Sequence, residues 1–417
     1  MDYVIEGGRP LCGHATVPGA KNAALHILVA TLLTDAPIEL DRIPIIRDVD
    51  TLRSLLEDLG KRVERLDDER YRVSAAGPLQ SEAPVDAVRK MRASFHVLGP
   101  LLARCGEATV PTPGGDRIGA RPVGLHLEGL RAMGATIDES NGLIHARAAR
   151  LEPTEIRLRF PSVGATEHLM MTAALVPGRT VIHNPAHEPE IHDLGNFLTT
   201  MGASVRCRET YVSIRGVDTL HGGEYRVMPD RLCAGTLAIG AALTGGELEI
   251  ACDPWHVRPL TDTLRSMTID IVERADGLTV RGTAPRDYQP MVIETRPYPG
   301  FPTDMHPPIM PLLALVPGES RLTETIFEDR FAYVDGLRQL GADLAIDDRT
   351  VSVRGVERFR GETIEEGRDN RAGAALVLAG LAAEGTTIVR DVHDHIARGY
   401  GDFAATLSAL GAMIQTR

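Results

Sequence analysis

One phrase recurs along this chain, and any fold must accommodate it each time. Asp48–Gly60 (DVDTLRSLLEDLG) sets leucines at helical spacing, ends in Leu59-Gly60 and runs into a charged, β-branched stretch, Lys61-Arg62-Val63-Glu64-Arg65. The phrase returns at Leu125–Gly134, Asp193–Gly202, Leu260–Thr268, Val334–Gly341 and Phe403–Gly411, six copies in all. Each copy reads as an amphipathic helix, a glycine at its C-terminus and a strand. The fourth has Thr268 where the others have glycine, which predicts a less well capped helix end. A further strand signal precedes several copies, at Ala36–Leu40, Gly178–Ile182, Gly245–Ile250 and Gly385–Val389. A repeat of about seventy residues is too long for a simple solenoid unit. Six units of helix plus several strands predict an α/β architecture. The repeated phrases are scaffold, so function belongs to the loops that differ between copies.

A chain of 417 residues exceeds one ordinary core, and two domains are expected. No apolar run approaches the length of a membrane span, and the start, Met1-Asp2-Tyr3-Val4-Ile5-Glu6, lacks the basic and apolar regions of a signal peptide. The five cysteines are scattered, odd in number and never in a Cys-x-x-Cys pair, which predicts reduced thiols in a cytoplasm and no zinc framework. A net charge of -12 disfavours nucleic-acid partners. Basic residues that bind an anion must therefore be gathered locally.

Several loops gather them. Pro111–Pro122 (PTPGGDRIGARP) places Asp116 between Arg117 and Arg121 in a backbone made permissive by glycine and stiffened by proline. Asp116 is either a quiet, ion-paired carboxylate or, over a reactive substrate, a proton donor. Two neighbouring arginines lower the pKa of an acid, whereas a donor needs it raised. Lys21, in Pro18-Gly19-Ala20-Lys21-Asn22, opens an alanine-rich helix against the helix dipole. That position suits an anion shared with the free N–H groups, or else a solvated lysine. Arginines recur among small residues near Arg92, Arg330, Arg368, Arg371 and Arg398. Their planar forks bind carboxylate and phosphate oxygens in pairs, which points to a polyanionic small molecule. No Gly-x-x-x-x-Gly-Lys-Ser/Thr loop is present, which excludes an ordinary nucleotide triphosphatase. His187-Glu188-Pro189-Glu190-Ile191-His192 and His393-Asp394-His395 lack the zinc spacing of one helical face, and they read as turn histidines and helix-capping acids, with no metal.

Six motifs occur in one order: Lys21-Asn22-Ala23-Ala24-Leu25, Met91-Arg92-Ala93-Ser94, Gly119-Ala120-Arg121-Pro122-Val123, Ser162-Val163-Gly164-Ala165-Thr166, Glu188-Pro189-Glu190-Ile191 and Phe301-Pro302-Thr303-Asp304-Met305. Through them the chain resembles the UDP-N-acetylglucosamine enolpyruvyl transferase (1-carboxyvinyltransferase) family over essentially its whole length. The resemblance implies two inside-out α/β barrels of three repeated units each, with the active site in the cleft between domains. Residues 21–229 would form one domain, and residues 1–20 plus 230–417 the other. It implies transfer of the enolpyruvyl group of phosphoenolpyruvate to the 3-hydroxyl of UDP-N-acetylglucosamine with release of phosphate, the first committed step of peptidoglycan precursor synthesis, without cofactor, metal, nucleic acid or membrane. Asp304 would be the general base and Asp116 the proton donor. Lys21, Arg92 and Arg121 would hold phosphate, while Arg330, Arg371 and Arg398 would hold the carboxylate or close the cleft. Asp369 would lie on the substrate side with Arg371. Asn22 would touch the sugar, Ser162, Val163 and Gly164 the diphosphate, and Arg121, Pro122, Val123 and Leu125 the uracil.

The chain departs from the family pattern at defined places. Asp116 stands where most members have the cysteine alkylated by fosfomycin, which implies resistance. Gly124 replaces an aspartate that reaches the uracil, Asp329 an asparagine and Cys233 a glutamate. Asn370 and Gly373 alter the phrase around Arg371, and Ala397 and Gly401 remove acids flanking Arg398-Gly399-Tyr400. These departures keep two alternatives open: a paralogue using another uridine nucleotide in specialised metabolism, and a non-catalytic nucleotide-sugar-binding regulator. For Asp116 the expected outcome is that Asp116→Asn folds but loses most turnover, measured as phosphate release. Asp116→Cys should stay active and become fosfomycin-sensitive, and a fully active Asp116→Asn enzyme would remove the donor role.

Overall fold

The computed structural model describes residues 1–365 and 368–417. Its backbone divides into two compact units. The first comprises Gly19–Gly115 and Pro122–Met228, and the second Met1–Pro18, Asp116–Arg121 and Pro229–Arg417. The loop segment Asp116–Arg121 thus falls in the second unit, although its place in the sequence lies within the 21–229 range expected for the other. Local bonds explain this. The Ala120 N–H donates to Glu328 Oε1 at 2.8 Å, the Asp329 N–H donates to the Ile118 carbonyl at 3.2 Å, and Ile118 is buried. A Cβ at Gly119 would lie 2.5 Å from the Glu328 carboxylate, so glycine is what allows the contact.

The described residues form five four-stranded sheets, one three-stranded sheet and one two-stranded ribbon. The third copy of the repeat shows the plan. Glu155–Arg157 runs parallel to Gly178–His183, with the helix Val163–Ala174 as crossover between them. Gly178–His183 pairs antiparallel with Tyr211–Gly216, which folds back on Ser204–Arg208. The repeated phrase supplies the helix Pro189–Thr200 and the strand after it. The fifth copy repeats this arrangement with Val292–Glu294, Glu319–Thr323, Thr350–Arg354 and Asp343–Asp347. The first and fourth copies draw their parallel strand from a distant segment. Gly223–Arg226 pairs with Ile38–Asp41, and Gly13–Thr16 with Glu247–Ala251. In the sixth copy Asp2–Glu6 lies between Thr386–Arg390 and Met413–Thr416, in the place of the hairpin's second strand.

Two kinds of helix follow from two patterns. Those of the repeated phrases are amphipathic: in Arg47–Asp58, Leu52, Leu55 and Leu56 are buried while Glu57 and Ser54 face water. The others carry apolar or small residues all round and are buried on every side, as in Lys21–Ala30, Val163–Ala174, Arg231–Thr244, His306–Leu315 and Asn370–Ala382. Each fully buried leucine there contributes about 1.5–3 kcal/mol of transfer free energy. No helix among the described residues is long and apolar enough to cross a membrane. All five cysteines are free thiols.

The glycine that ends each phrase has a defined conformational task. Gly60, Gly134, Gly202, Gly341 and Gly411 have φ between 97° and 112°. From the second copy on, the following N–H bonds back five residues. Ala135 bonds to the Leu130 carbonyl, Ala203 to Leu198, Ala342 to Leu337 and Ala412 to Leu407. This is the Schellman closure, which satisfies the last helical carbonyls. Thr268 adopts it as well, at φ 73°, with Ile269 N–H on the Leu264 carbonyl at 3.1 Å. The fourth helix end is therefore closed like the others, not less well capped as expected. Its cost is a β-branched residue in the left-handed region. Thr268→Gly is expected to raise stability by about 1 kcal/mol, read from chemical denaturation. An unchanged or lowered midpoint would mean that the backbone there is not strained.

Candidate functional site

Charged residues converge in the second unit around Asp304, which lies in the one-turn helix Thr303–Met305. Arg330 Nη2 meets Asp304 Oδ1 at 2.8 Å, and Arg371 Nη2 donates to Oδ2 at 3.3 Å. The arginine side chains are 3% exposed and that of Asp304 24%, so the carboxylate faces outward over buried cations. Burial favours the neutral acid, but the Arg330 and Arg371 guanidiniums outweigh it and hold the Asp304 carboxyl well below the usual range. In this state Asp304 is a weak base. Asp369, expected on the substrate side, is buried and caps the helix Asn370–Ala382, accepting from the Arg371 N–H at 3.0 Å. Its other oxygen lies 3.6 Å from Arg330 Nε, and burial pushes its pKa up against the pull of that guanidinium. Arg371 also lies over the Tyr400 ring, 5.0 Å from its centroid.

A second carboxylate holds this cluster in place. Glu324, fully buried, accepts from Thr295 Oγ1, Thr303 Oγ1 and His306 Nδ1 at 2.8–2.9 Å. It also accepts from the Ile326 and Phe327 N–H groups at 2.8 and 3.1 Å. Thr303 Oγ1 in turn accepts from Arg330 Nη1 at 3.0 Å. His306 completes the chain through Nε2, 2.7 Å from the Tyr333 hydroxyl. Burial works against ionisation of Glu324, but its bonds, that to His306 first, prevail and lower its pKa to about 2.

Asp116 takes a partner the sequence did not suggest. Arg398 Nη1 donates to Asp116 Oδ1 at 3.0 Å, with both side chains largely shielded, whereas the adjacent Arg117 is exposed. Arg121, at φ 44°, lies 5.5 Å over the Phe327 ring, and Arg330 lies at the same distance from that ring. Asp116, Arg121, Arg330, Asp304, Asp369, Arg371 and Arg398 are therefore gathered in one unit.

The other predicted residues lie in the first unit. Lys21, the first residue of its helix, is neither solvated nor exposed: its Nζ is 2.7 Å from Asp48 Oδ2 and its side chain is 9% exposed. Asn22 follows it, and its carbonyl lies 2.7 Å from His26 Nδ1. Arg92 opens the short helix Arg92–Val97 and bears electrostatically on His126. Ser162 caps the helix Val163–Ala174, its side chain accepting from the Ala165 N–H, so Val163 and Gly164 present first-turn N–H groups suited to an anion. Pro122 is exposed, while Val123 and Leu125 are half-buried at the start of the helix Gly124–Ala132. Of the histidine motifs, Glu188 stands at the cap of its helix without a side-chain capping bond, and Asp391, not Asp394, binds the His395 and Ile396 N–H groups. Sequence reasoning missed Glu324, Thr303, Phe327 and Tyr400 as parts of the site. Thr303 lay inside a quoted motif, but nothing in the spacing of Glu324 marks it as a hub.

The sequence pattern of the EPSP synthase (3-phosphoshikimate 1-carboxyvinyltransferase) family matches residues 5–407. UDP-N-acetylglucosamine 1-carboxyvinyltransferase 2 of Carboxydothermus hydrogenoformans is 46% identical over 99% of this chain and 98% of its own. UDP-N-acetylglucosamine 1-carboxyvinyltransferase of Granulibacter bethesdensis is 46% identical over 100% and 99%. Among solved structures, the enolpyruvyl transferase NikO from Streptomyces tendae superposes with a TM-score of 0.89 at 26% identity, covering 99% of this chain and 98% of its own. EPSP synthase from Acinetobacter baumannii shares the fold, with a TM-score of 0.74 at 18% identity over 99% of both chains. The chain belongs to the EPSP synthase family of enolpyruvyl transferases, and within it to the UDP-N-acetylglucosamine 1-carboxyvinyltransferases.

Glu324 gives a test of the site's foundation. Its folded pKa is depressed, so its stabilisation is present above the unfolded value near 4.3 and is lost as pH falls through about 2. Glu324→Gln should cost about 3 kcal/mol at neutral pH, with the difference from wild type shrinking as pH falls towards 2, measured by denaturant titration. A difference independent of pH would show that the carboxylate charge is not what matters.

Proposed function

We propose that the chain transfers the enolpyruvyl group of phosphoenolpyruvate to the 3-hydroxyl of UDP-N-acetylglucosamine and releases phosphate, the first committed step of peptidoglycan precursor synthesis. The carrying observation is the 46% identity, over nearly the whole of both chains, to enzymes named for that acceptor. In this scheme Asp116 gives a proton to the methylene carbon of phosphoenolpyruvate, and the sugar oxygen attacks the adjacent carbon as Asp304 takes the hydroxyl proton. The tetrahedral adduct then collapses. Its carbon–oxygen bond to phosphate breaks as Asp304 returns a proton to the departing phosphate, the methyl group gives a proton back to Asp116 and the double bond re-forms.

The ion pairs make the bases and acids conditional on substrate. Asp304 is too strongly ion-paired to be a good base while Arg330 and Arg371 serve it alone. When the carboxylate of phosphoenolpyruvate engages those arginines, their hold on Asp304 weakens and its pKa rises towards a useful value. Arg398 is shared in the same way between Asp116 and the incoming anion. Lys21, Arg92 and Arg121 hold phosphate, and the first-turn N–H groups after Ser162 meet the diphosphate. Asn22 contacts the sugar, and Pro122, Val123 and Leu125 lie along the uracil. We also take the six copies as two inside-out α/β barrels of three units each. Support comes from helices buried on every side, such as His306–Leu315 and Asn370–Ala382. A cytoplasmic location fits the five free thiols and a nucleotide-sugar substrate.

Gly124 favours a second reading, a paralogue with another uridine nucleotide as acceptor. Incubation with phosphoenolpyruvate and UDP-N-acetylglucosamine, followed by phosphate release and product mass, decides between them. Turnover with this acceptor, lost in Asp304→Ala, is expected. Turnover only with a different uridine nucleotide would select the paralogue. A Cβ at Gly124 would lie 3.6 Å from Arg159 Nη2 and 3.7 Å from Glu128 Oε1, so the backbone there admits a side chain. Gly124→Asp should leave stability unchanged and lower KM for UDP-N-acetylglucosamine about tenfold, the worth of one charged hydrogen bond.

A further inference from the structure

We propose that His26, His96 and Glu167 form a closed binding site for one divalent transition-metal ion of the zinc class in the interior of the first unit. The residues come from three separate helices, Lys21–Ala30, Arg92–Val97 and Val163–Ala174. All three are buried, and one donor atom from each lies within 4.8 Å of the others. Glu167 Oε1 and His26 Nε2 have no hydrogen-bond partner, and Glu167 Oε2 faces the His26 ring. A buried carboxylate with one oxygen left without a donor has room for a cation on that oxygen.

The surrounding bonds set the imidazoles up as ligands. His26 Nδ1 lies 2.7 Å from the Asn22 carbonyl, which places the proton there and leaves the Nε2 lone pair for a metal. His96 has Nδ1 3.2 Å from the Ala93 carbonyl and Nε2 3.1 Å from the Gly164 carbonyl. A neutral imidazole carries hydrogen on only one nitrogen, so the other turns a lone pair on an oxygen. A metal ion on that lone pair removes the conflict. His126 and His168 are accounted for without metal. The Gly99 N–H donates to His168 Nε2 at 2.7 Å, so His168 Nδ1 holds the proton and donates to His126 Nδ1 at 3.1 Å. They are walls of the site, with ring centroids 5.3 and 5.5 Å from His96.

Two imidazoles and a carboxylate suit Zn²⁺, and Co²⁺ as its probe. Bonds of 2.0–2.1 Å place tetrahedral ligand atoms about 3.3 Å apart, within reach of side-chain adjustments of about 1 Å. His26 Nδ1 also lies 3.0 Å from Glu167 Oε2. Because the Asn22 and Gly164 carbonyls contact the two imidazoles, the ion would stiffen both segments from beneath without touching substrate.

The test uses the full chain, stripped with chelator and dialysed against Zn²⁺ or Co²⁺. Retention of about one equivalent is expected, with X-ray absorption showing nitrogen and oxygen ligands and imidazole scattering. Glu167→Gln and His96→Phe should each weaken binding at least about 100-fold, while His183→Gln, at an exposed histidine–glutamate pair, should not. Less than a tenth of an equivalent retained by wild type, sulfur in the first shell, or unchanged metal content in both site variants would overturn the proposal. The absorption spectrum of the wild type decides the matter should either variant fail to fold.

Discussion

The buried carboxylate of Glu324 accepts five hydrogen bonds, and the charged cluster of the second unit depends on it. An ionised acid inside a protein is tolerable only when its lone pairs are met by donors. Among the five donors are the Thr303 hydroxyl, next to Asp304, and two backbone N–H groups just before Arg330. Satisfying Glu324 therefore sets the position of both the acid and its arginine. Phe327, whose N–H is one of those donors, in turn receives the faces of Arg121 and Arg330.

Opposite charges of limited freedom are concentrated around it. Asp304 and Asp116 each accept from an arginine that came from far along the chain, and Asp369 stabilises the helix end bearing Arg371. Fixed guanidiniums of this kind bind anions without reorganising, which is where electrostatic catalysis draws its strength. The same pairs restrain the two carboxylates while no anion is present. In the proposed reaction, addition across an enol double bond and loss of phosphate, these carboxylates would act only once the anionic substrate arrives.

Much of this was legible in the linear sequence. The helix, C-terminal glycine and strand of each repeat appear where the spacing put them, because amphipathic periodicity and positive φ are local properties. Thr268 marks the limit of that legibility. The closure of Ile269 on Leu264 imposes the left-handed conformation whatever residue stands there, so the helix end holds and the strain passes into the backbone. Three other features escaped. Asp2–Glu6 completes the sheet of the sixth copy, Asp116 pairs with Arg398 and not Arg117, and four histidines with Glu167 collect inside the first unit. None has a signature at short range.

By itself the sequence determined the repeating elements, the α/β class and the residue types available for binding an anion. Those depend on side-chain periodicity, turn chemistry and charge, which operate over a few residues. Only the tertiary structure decided which arginine meets which carboxylate, that Lys21 is held by Asp48, and that Glu324 is a hub. A pair of charges is worth little in water and much once buried. Burial is a property of the assembled unit, so the choice of partner is made when the helices and strands pack.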